Sequence, residues 1–478
     1  MSKNLRQRFD FRWFFVLVLL IVAMVVGILL NINSNDNNPS KIAGLVNIDN
    51  GDQKINWDRY TLTELNLIEN VNITDSGIYH ITGSLSDGSI TIDSGIKGEV
   101  KLILDNVSII NTTGPAISCI SGDDLVIELI GDNTLKDGVS YATELDQDIN
   151  GVIYSKADLT FQGDGMLKIN ANYQDAIVGK DDVKFINGDY LIFSKDDGIR
   201  GKDSVYITGG NFNIVSDGDS IRSTNETDPE KGFVLIEGGD INISSGDDGI
   251  HGAKTLAIQG GNINIIKSYE GFEAQKVIIN GGDISIMSSD DGINAGGNPN
   301  DTTVGRSGLS NTDENCIIII NDGKIYINSS GDGIDSNGRV YFNGGSTIID
   351  GPTNNGNGAL DAGIEIAMNG GGVVAVGSSD MAETLGSNSN TFNISVYFDG
   401  AKKANTKLEI KDSDNNVIIS HTSAKKFAHA SIGTNKFELG KTYFIYIDNE
   451  LYQEFKISDI TTILGSSNYN MNMLPARR

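Results

Sequence analysis

The chain has 478 residues, enough for about two to four domains or one elongated repeat fold, and its 57 glycines against 6 prolines favour many short strands joined by tight turns. Its 36 basic and 63 acidic residues give a formal charge of -27, which excludes nucleic-acid phosphates as expected partners and favours cations. Cys119 and Cys316 lie far apart without a CxxC neighbour, which excludes a zinc finger or a disulfide framework; they read as buried apolar residues, with a single bridge as the alternative.

In chain order, residues 1–12 form a basic segment with Lys3, Arg6, Arg8 and Arg12, and residues 13–30 are uncharged and almost wholly apolar. At about 1.5 Å per residue that run spans roughly 27 Å, close to a bilayer's hydrocarbon thickness. The flanking charge predicts a cytoplasmic N-terminus, one transmembrane helix, and an extracellular bulk held at the cell membrane. A cleaved secretory signal is the alternative, disfavoured by the length of the run and by its close in Leu29-Leu30-Asn31-Ile32 rather than in small residues. Residues 31–45 read as a flexible tether.

Residues 46–149 are expected to form irregular rungs and a cap, with strands near 79–83, 101–104 and 125–129. Residues 150–390 carry a repeat. Asp196-Asp197-Gly198-Ile199-Arg200-Gly201 with Val205-Tyr206-Ile207, Gly209-Gly210 and Phe212-Asn213-Ile214 recurs as Asp247-Asp248-Gly249-Ile250-His251-Gly252 with its own three strands. The acidic position before Gly-Ile falls at Asp175, Asp197, Asp219, Asp248, Glu270, Asp291 and Asp332. The paired-glycine turn repeats in the same register from Gly188 to Gly345. Insertions near 224–231 and 296–315 account for the two long gaps. Apolar residues alternate at period two inside each segment, so the segments are strands with one inward face. A unit of about 21 to 22 residues cannot bury that face alone; stacking copies closes a core, which predicts an all-β, right-handed single-stranded parallel β-helix. Residues 391–460 lose the repeat and read as a small C-terminal β module, followed by a tail over 461–478.

Stacking sets equivalent residues about 4.8 Å apart. Unit charges at that spacing repel by roughly 3 to 4 kcal/mol at an effective dielectric near 20, so a bare acidic column is unfavourable. Ca2+ would neutralise it through Asp196, Asp197, Asp219, Asp247, Asp248, Glu270, Asp290, Asp291 and Asp332, since calcium takes six to eight oxygens and tolerates irregular turns. The bland alternative is that these carboxylates satisfy turn amides. Three positions on, the column reads Arg200, Arg222, His251, Glu273, Asn294 and Asp335. Arg200 and Arg222, with Lys202, His251 and Tyr269 beside them, are candidates to bind a sugar carboxylate. Equally, the arginines serve only to compensate the acidic column. The outward positions of the second strand, Lys184, Tyr206, Leu235, Ala257, Ile278, Ile319 and Tyr341, are mostly apolar and are expected to be covered by the C-terminal module or a neighbouring chain.

The repeated Asp-Gly-Ile units, the Gly-Gly turns, the segment Gly351-Pro352-Thr353-Asn354-Asn355-Gly356-Asn357-Gly358-Ala359-Leu360-Asp361 and Val376-Gly377-Ser378-Ser379-Asp380-Met381-Ala382-Glu383 resemble a family of bacterial surface carbohydrate-binding proteins with a parallel β-helix. These are binders of cellulose and acidic sugars, related in fold to pectate lyases. The resemblance covers about residues 70 to 455 and implies calcium at rung turns and affinity for polygalacturonate. It departs at Asp219, which Ser220 follows, and at Tyr269-Glu270, which replaces an aspartate pair. The expected function is calcium-dependent binding of an acidic polysaccharide. A pectate-type lyase with Arg200, Arg222 or Lys202 as base is the alternative, and a structural or adhesive surface component is a third reading.

Overall fold

A computed structural model describes residues 54–93, 98–296 and 312–466. The apolar run at 13–30 and its flanks lie outside these residues; within them no helix is long and apolar enough to cross a membrane. The described chain is all β apart from a single 3-10 turn, Trp57–Arg59. Its strands form one sheet of 37 members, joined mainly by parallel pairings, and a separate four-stranded sheet.

Each strand of the repeat bonds to its equivalent one unit later. The first-strand column runs Ile177, Ile199, Ile221, Ile250, Phe272, Ile293, Ile334, Leu360. The second runs Val183, Val205, Val234, Leu256, Val277, Ile318, Val340, Ile366. The third runs Ile192, Ile214, Ile243, Ile265, Ile286, Ile327, Ile349, Ala375. All three face one continuous buried core, in which β-branched side chains stack on their own kind. This large parallel-dominated sheet is consistent with a parallel β-helix. The upstream strands Gly77–Leu85, Glu99–Asp105 and Asp124–Ile130 continue the parallel pairing.

The glycine column has a steric cause. Gly261 adopts φ +96°, and a Cβ there would lie 3.0 Å from the Gly239 carbonyl oxygen of the preceding turn. A side chain would be strained in backbone conformation and crowded by the next turn at once.

The repeat ends at Gly372–Gly377, whose free edge pairs antiparallel with Phe427–Thr434, which in turn pairs with Asn393–Lys402. Lys407–Asp412, Val417–Thr422, Thr442–Ile447 and Glu450–Lys456 form the four-stranded antiparallel sheet. This region packs its own apolar core around Ile410, Phe427 and Ile445. Asp350 latches it to the repeat, accepting from Tyr326 Oη at 2.9 Å and the Ala424 amide at 3.0 Å and pairing with His421 Nε2 at 2.8 Å.

Cys119 and Cys316 are free and buried, so the single bridge does not form. The outward stripe of the second strand is buried from Lys184 to Ile278 and half-buried at Ile319 and Tyr341. The C-terminal strands join the repeat elsewhere, at its last turn and along the third-strand column.

Candidate functional site

The turn before each first strand places one acidic residue of every rung beneath the next. One oxygen of each carboxylate accepts the backbone amide of its successor: Asp197 N to Asp175 Oδ1 at 3.1 Å, Asp219 N to Asp197 Oδ1 at 3.1 Å, Asp248 N to Asp219 Oδ1 at 2.9 Å, and Glu270 N to Asp248 Oδ1 at 3.3 Å. The ladder resumes with Asp332 N to Asp291 Oδ1 at 2.6 Å and ends with the Gly358 amide on Asp332. The aspartates therefore satisfy turn amides, as the bland reading of Asp-Gly turns expects. The amide bond uses one oxygen and leaves the charge of the other to be matched.

Along the first rungs the protein supplies the match. Arg200 Nη2 lies 2.6 Å from Asp175 Oδ2 and donates to Asn150 Oδ1 at 2.8 Å. Arg222 Nη1 sits between Asp197 Oδ2 at 3.6 Å and Asp219 Oδ2 at 3.3 Å. His251 Nδ1 lies 2.9 Å from Glu273, 3.3 Å from Asp248 and 3.8 Å from Asp219. Burial opposes the imidazolium, but hydrogen bonds to Asp248 and Glu273 and the surrounding acids outweigh it and push His251 up to about 10. Burial still pushes Asp175 up to about 7 in spite of Arg200.

Beyond His251 the sign changes. The positions stacked on it are Glu273, Asn294, Asp335 and Asp361. Asn294 Nδ2 donates to both oxygens of Glu270, a neutral partner that leaves this carboxyl pushed up to about 9 by burial and by the Glu273 and Asp248 charges. Ligand oxygens of Asp291, Asp332 and Asp335 all lie within 4.8 Å of one another. Burial first, and then the charges of neighbouring acids, pushes Asp291, Asp332 and Asp335 up to about 6, 8 and 7; for Asp291 those acids are Asp290 and Asp361. Asp361 and Glu383 extend the cluster; burial raises both, and Glu383 accepts the Ala362 amide at 3.2 Å. Among the described residues no Lys, Arg or His pairs with any of these five.

Three other acidic groups have the spacing of metal ligands, and two of them already contain the His251 contacts. The last, Asp158, Asp181 and Asp182, lies at a different turn beside Lys231, which bonds Asp203 and lies 3.9 Å from Asp181. The donor set at Asp291, Asp332 and Asp335 is all oxygen, pairs with no cation among the described residues and is held by backbone amides, which fits a hard divalent ion.

The outer aspartates behave differently from the inner column. Asp290 Oδ1 and Asp291 Oδ1 converge 2.4 and 2.3 Å from where a Cβ on Gly331 would stand, so glycine there leaves room for both carboxylates. Asp196 and Asp197 converge over Gly218 in the same way, at 2.7 and 2.8 Å. Asp247 is exposed. Tyr269 is exposed and hydrogen-bonds Asp290, which raises its hydroxyl to about 12. Lys202 is exposed and apart from the column. Arg222 and His251 share a cavity of about 200 Å³ with Lys254, Glu226 and Glu273, and the buried Arg222 Nε has no hydrogen-bond partner there. The sequence reading missed Asp361 and Glu383 as members of the acidic cluster. Asp361 continues the Asp335 column after a longer loop, whereas Glu383 lies beyond the repeat and carries no periodic mark.

Residues 68–315 match the model of a family described as carbohydrate-binding domain-containing protein. A protein of that description from Acetivibrio thermocellus is 40% identical over 199 residues, covering 41% of this chain and 70% of the relative. The chain belongs to this carbohydrate-binding family. A solved structure of the polysaccharide lyase-like protein from C. thermocellum, in a gadolinium derivative, is similar at 32% identity and a TM-score of 0.41, over 46% of this chain and 92% of its own. In this carbohydrate-binding chain the family match spans the rungs with internal cations, and the uncompensated acids from Asp332 to Glu383 lie beyond it.

Proposed function

We propose that this chain is a calcium-dependent binding protein for acidic polysaccharides such as polygalacturonate, built on a right-handed parallel β-helix and held at the cell surface by residues 13–30. Membership of a carbohydrate-binding family supports the polymer. The observation that carries the calcium is the change of sign along one column. Arg200, Arg222 and His251 compensate the first acids, and nothing in the described chain compensates Asp291, Asp332, Asp335, Asp361 and Glu383. Those residues would hold Ca2+, which supplies positive charge that both relieves their repulsion and attracts a uronate carboxylate. Without it, a polyanion meets a chain of charge -27.

The cavity lined by Arg222, His251 and Lys254 supports a contact for the sugar carboxylate. The same ion pairs oppose a lyase role. A guanidinium beside Asp197 and Asp219 is held above its already high pKa by those charges, against the cost of burial, so Arg222 is poorly suited to accept a proton.

The test mixes the protein with polygalacturonate and calcium, follows ultraviolet absorbance from unsaturated uronides, and then sediments the polymer. Flat absorbance with protein in the pellet, reversed by chelator, is expected. Rising absorbance would replace binding by elimination; pelleting that ignores chelator would remove calcium from the mechanism.

A further inference from the structure

Two of the segments that carry the family resemblance, residues 351–361 and 376–383, meet in space. The Gly351 amide donates to the Val376 carbonyl at 2.8 Å, and a Cβ on Gly358 would lie 2.5 Å from the Met381 carbonyl oxygen. Glycine at 358 is what allows the two backbones to touch. Where they diverge, they form a cavity of about 140 Å³ with the start of the closing strand, and Thr353, Asn355, Ser379, Asp380 and Lys426 bring polar groups to it. This cavity takes no part in the acidic column.

Asp380 and Lys426 line it together, yet among the described residues neither forms an ion pair with the other or with a third group. An ionised carboxylate only accepts hydrogen bonds and an ammonium only donates them. A ligand between them must therefore do both. A second anion is repelled by Asp380 and a cation by Lys426, whereas a hydroxyl donates to one and accepts from the other. The hydroxyls of Thr353 and Ser379 and the Asn355 amide add groups of the same mixed character. At about 30 Å³ per water the space holds about five waters, a volume suited to one face of a single ring rather than to an oligomer.

We propose that this cavity is a second carbohydrate subsite, which takes one neutral pyranose by its hydroxyls and needs no calcium. The proposal rests on the carbohydrate-binding reading but not on polyuronate or on the metal. Its test titrates the full chain with D-galactose and, separately, D-galacturonate, in chelator, by saturation-transfer NMR. Galactose is expected to bind in chelator and to be preferred over galacturonate. Asp380→Asn and Lys426→Met should each weaken it about tenfold, with thermal midpoint and calcium-dependent pelleting on polygalacturonate unchanged. No galactose binding by the native chain, equal binding by both variants, or preference for galacturonate would each overturn the subsite. Loss of pelleting with galactose binding intact would instead overturn the polyuronate reading alone.

Discussion

Asp332 both accepts the Gly358 amide and lies within 4.8 Å of the ligand oxygens of Asp291 and Asp335, so the ladder bond and the charge can be separated by one substitution. Asp332→Asn keeps an oxygen for the amide and removes the charge. At pH 9 in chelator, above the raised pKa of about 8, it should stabilise the protein by about 1 to 2 kcal/mol, because an uncompensated buried charge disappears. In calcium it should lose at least half of the native stabilisation by the ion. Paired thermal melts check both signs, and a variant destabilised equally in both conditions would mean that the carboxylate serves packing alone. The same three groups set a pH dependence. Burial raises Asp291, Asp335 and Asp332 to about 6, 7 and 8, so the folded state holds protons that the unfolded chain releases near 4. Their contribution is fully present below about pH 4 and is lost as pH rises to about 8. Melts in chelator should therefore fall across that window, and calcium, which binds the ionised form, should flatten the fall.

The Ile286 side chain is fully buried in the third-strand column, with Ile265 on one side and Ile327 on the other. Ile286→Ala should cost about 2 to 5 kcal/mol. Because a stacked repeat couples mainly to its neighbours, amide exchange should quicken first in the strands of 262–268 and 324–329 and least near residue 100. Uniform loss of protection would contradict nearest-neighbour coupling. These columns were legible in the sequence because alternation at period two and glycines at positive φ recur in one register. The acidic column was legible for the same reason. Its partners were only half legible: spacing puts Arg222 beside Asp219, but whether a guanidinium bends onto the acid or reaches outward depends on side-chain torsions that spacing does not fix. Glu383 carries no repeated motif, whereas Asp158 and Asp182 hold equivalent places one unit apart at the start of the second strand, a mark in the sequence that the acidic ladder before Gly-Ile does not include.

For the molecule as a whole, the excess of acid over base is unevenly matched along the repeat. Among the described residues the early rungs carry their own cations and the late rungs leave the charge open, so the proposed calcium would act on the end of the stack next to the C-terminal strands. The closing of that end was less legible than the stack itself. Alternating strands beyond residue 393 were foreseeable, but their antiparallel pairing with Gly372–Gly377 joins residues 52 (Gly377 to His429) to 62 (Gly372 to Thr434) positions apart with no shared spacing. A parallel stack has no last rung of its own, since each open edge offers amides and carbonyls to whatever strand arrives. A chain stopped at residue 390 should therefore recruit other molecules at that edge, seen as light scattering that grows after a lag, while the full chain stays clear. In this sense residues 427–434 are a chain terminator: by running backwards across the final edge they convert a pattern able to elongate indefinitely, from one molecule into the next, into an object of fixed length.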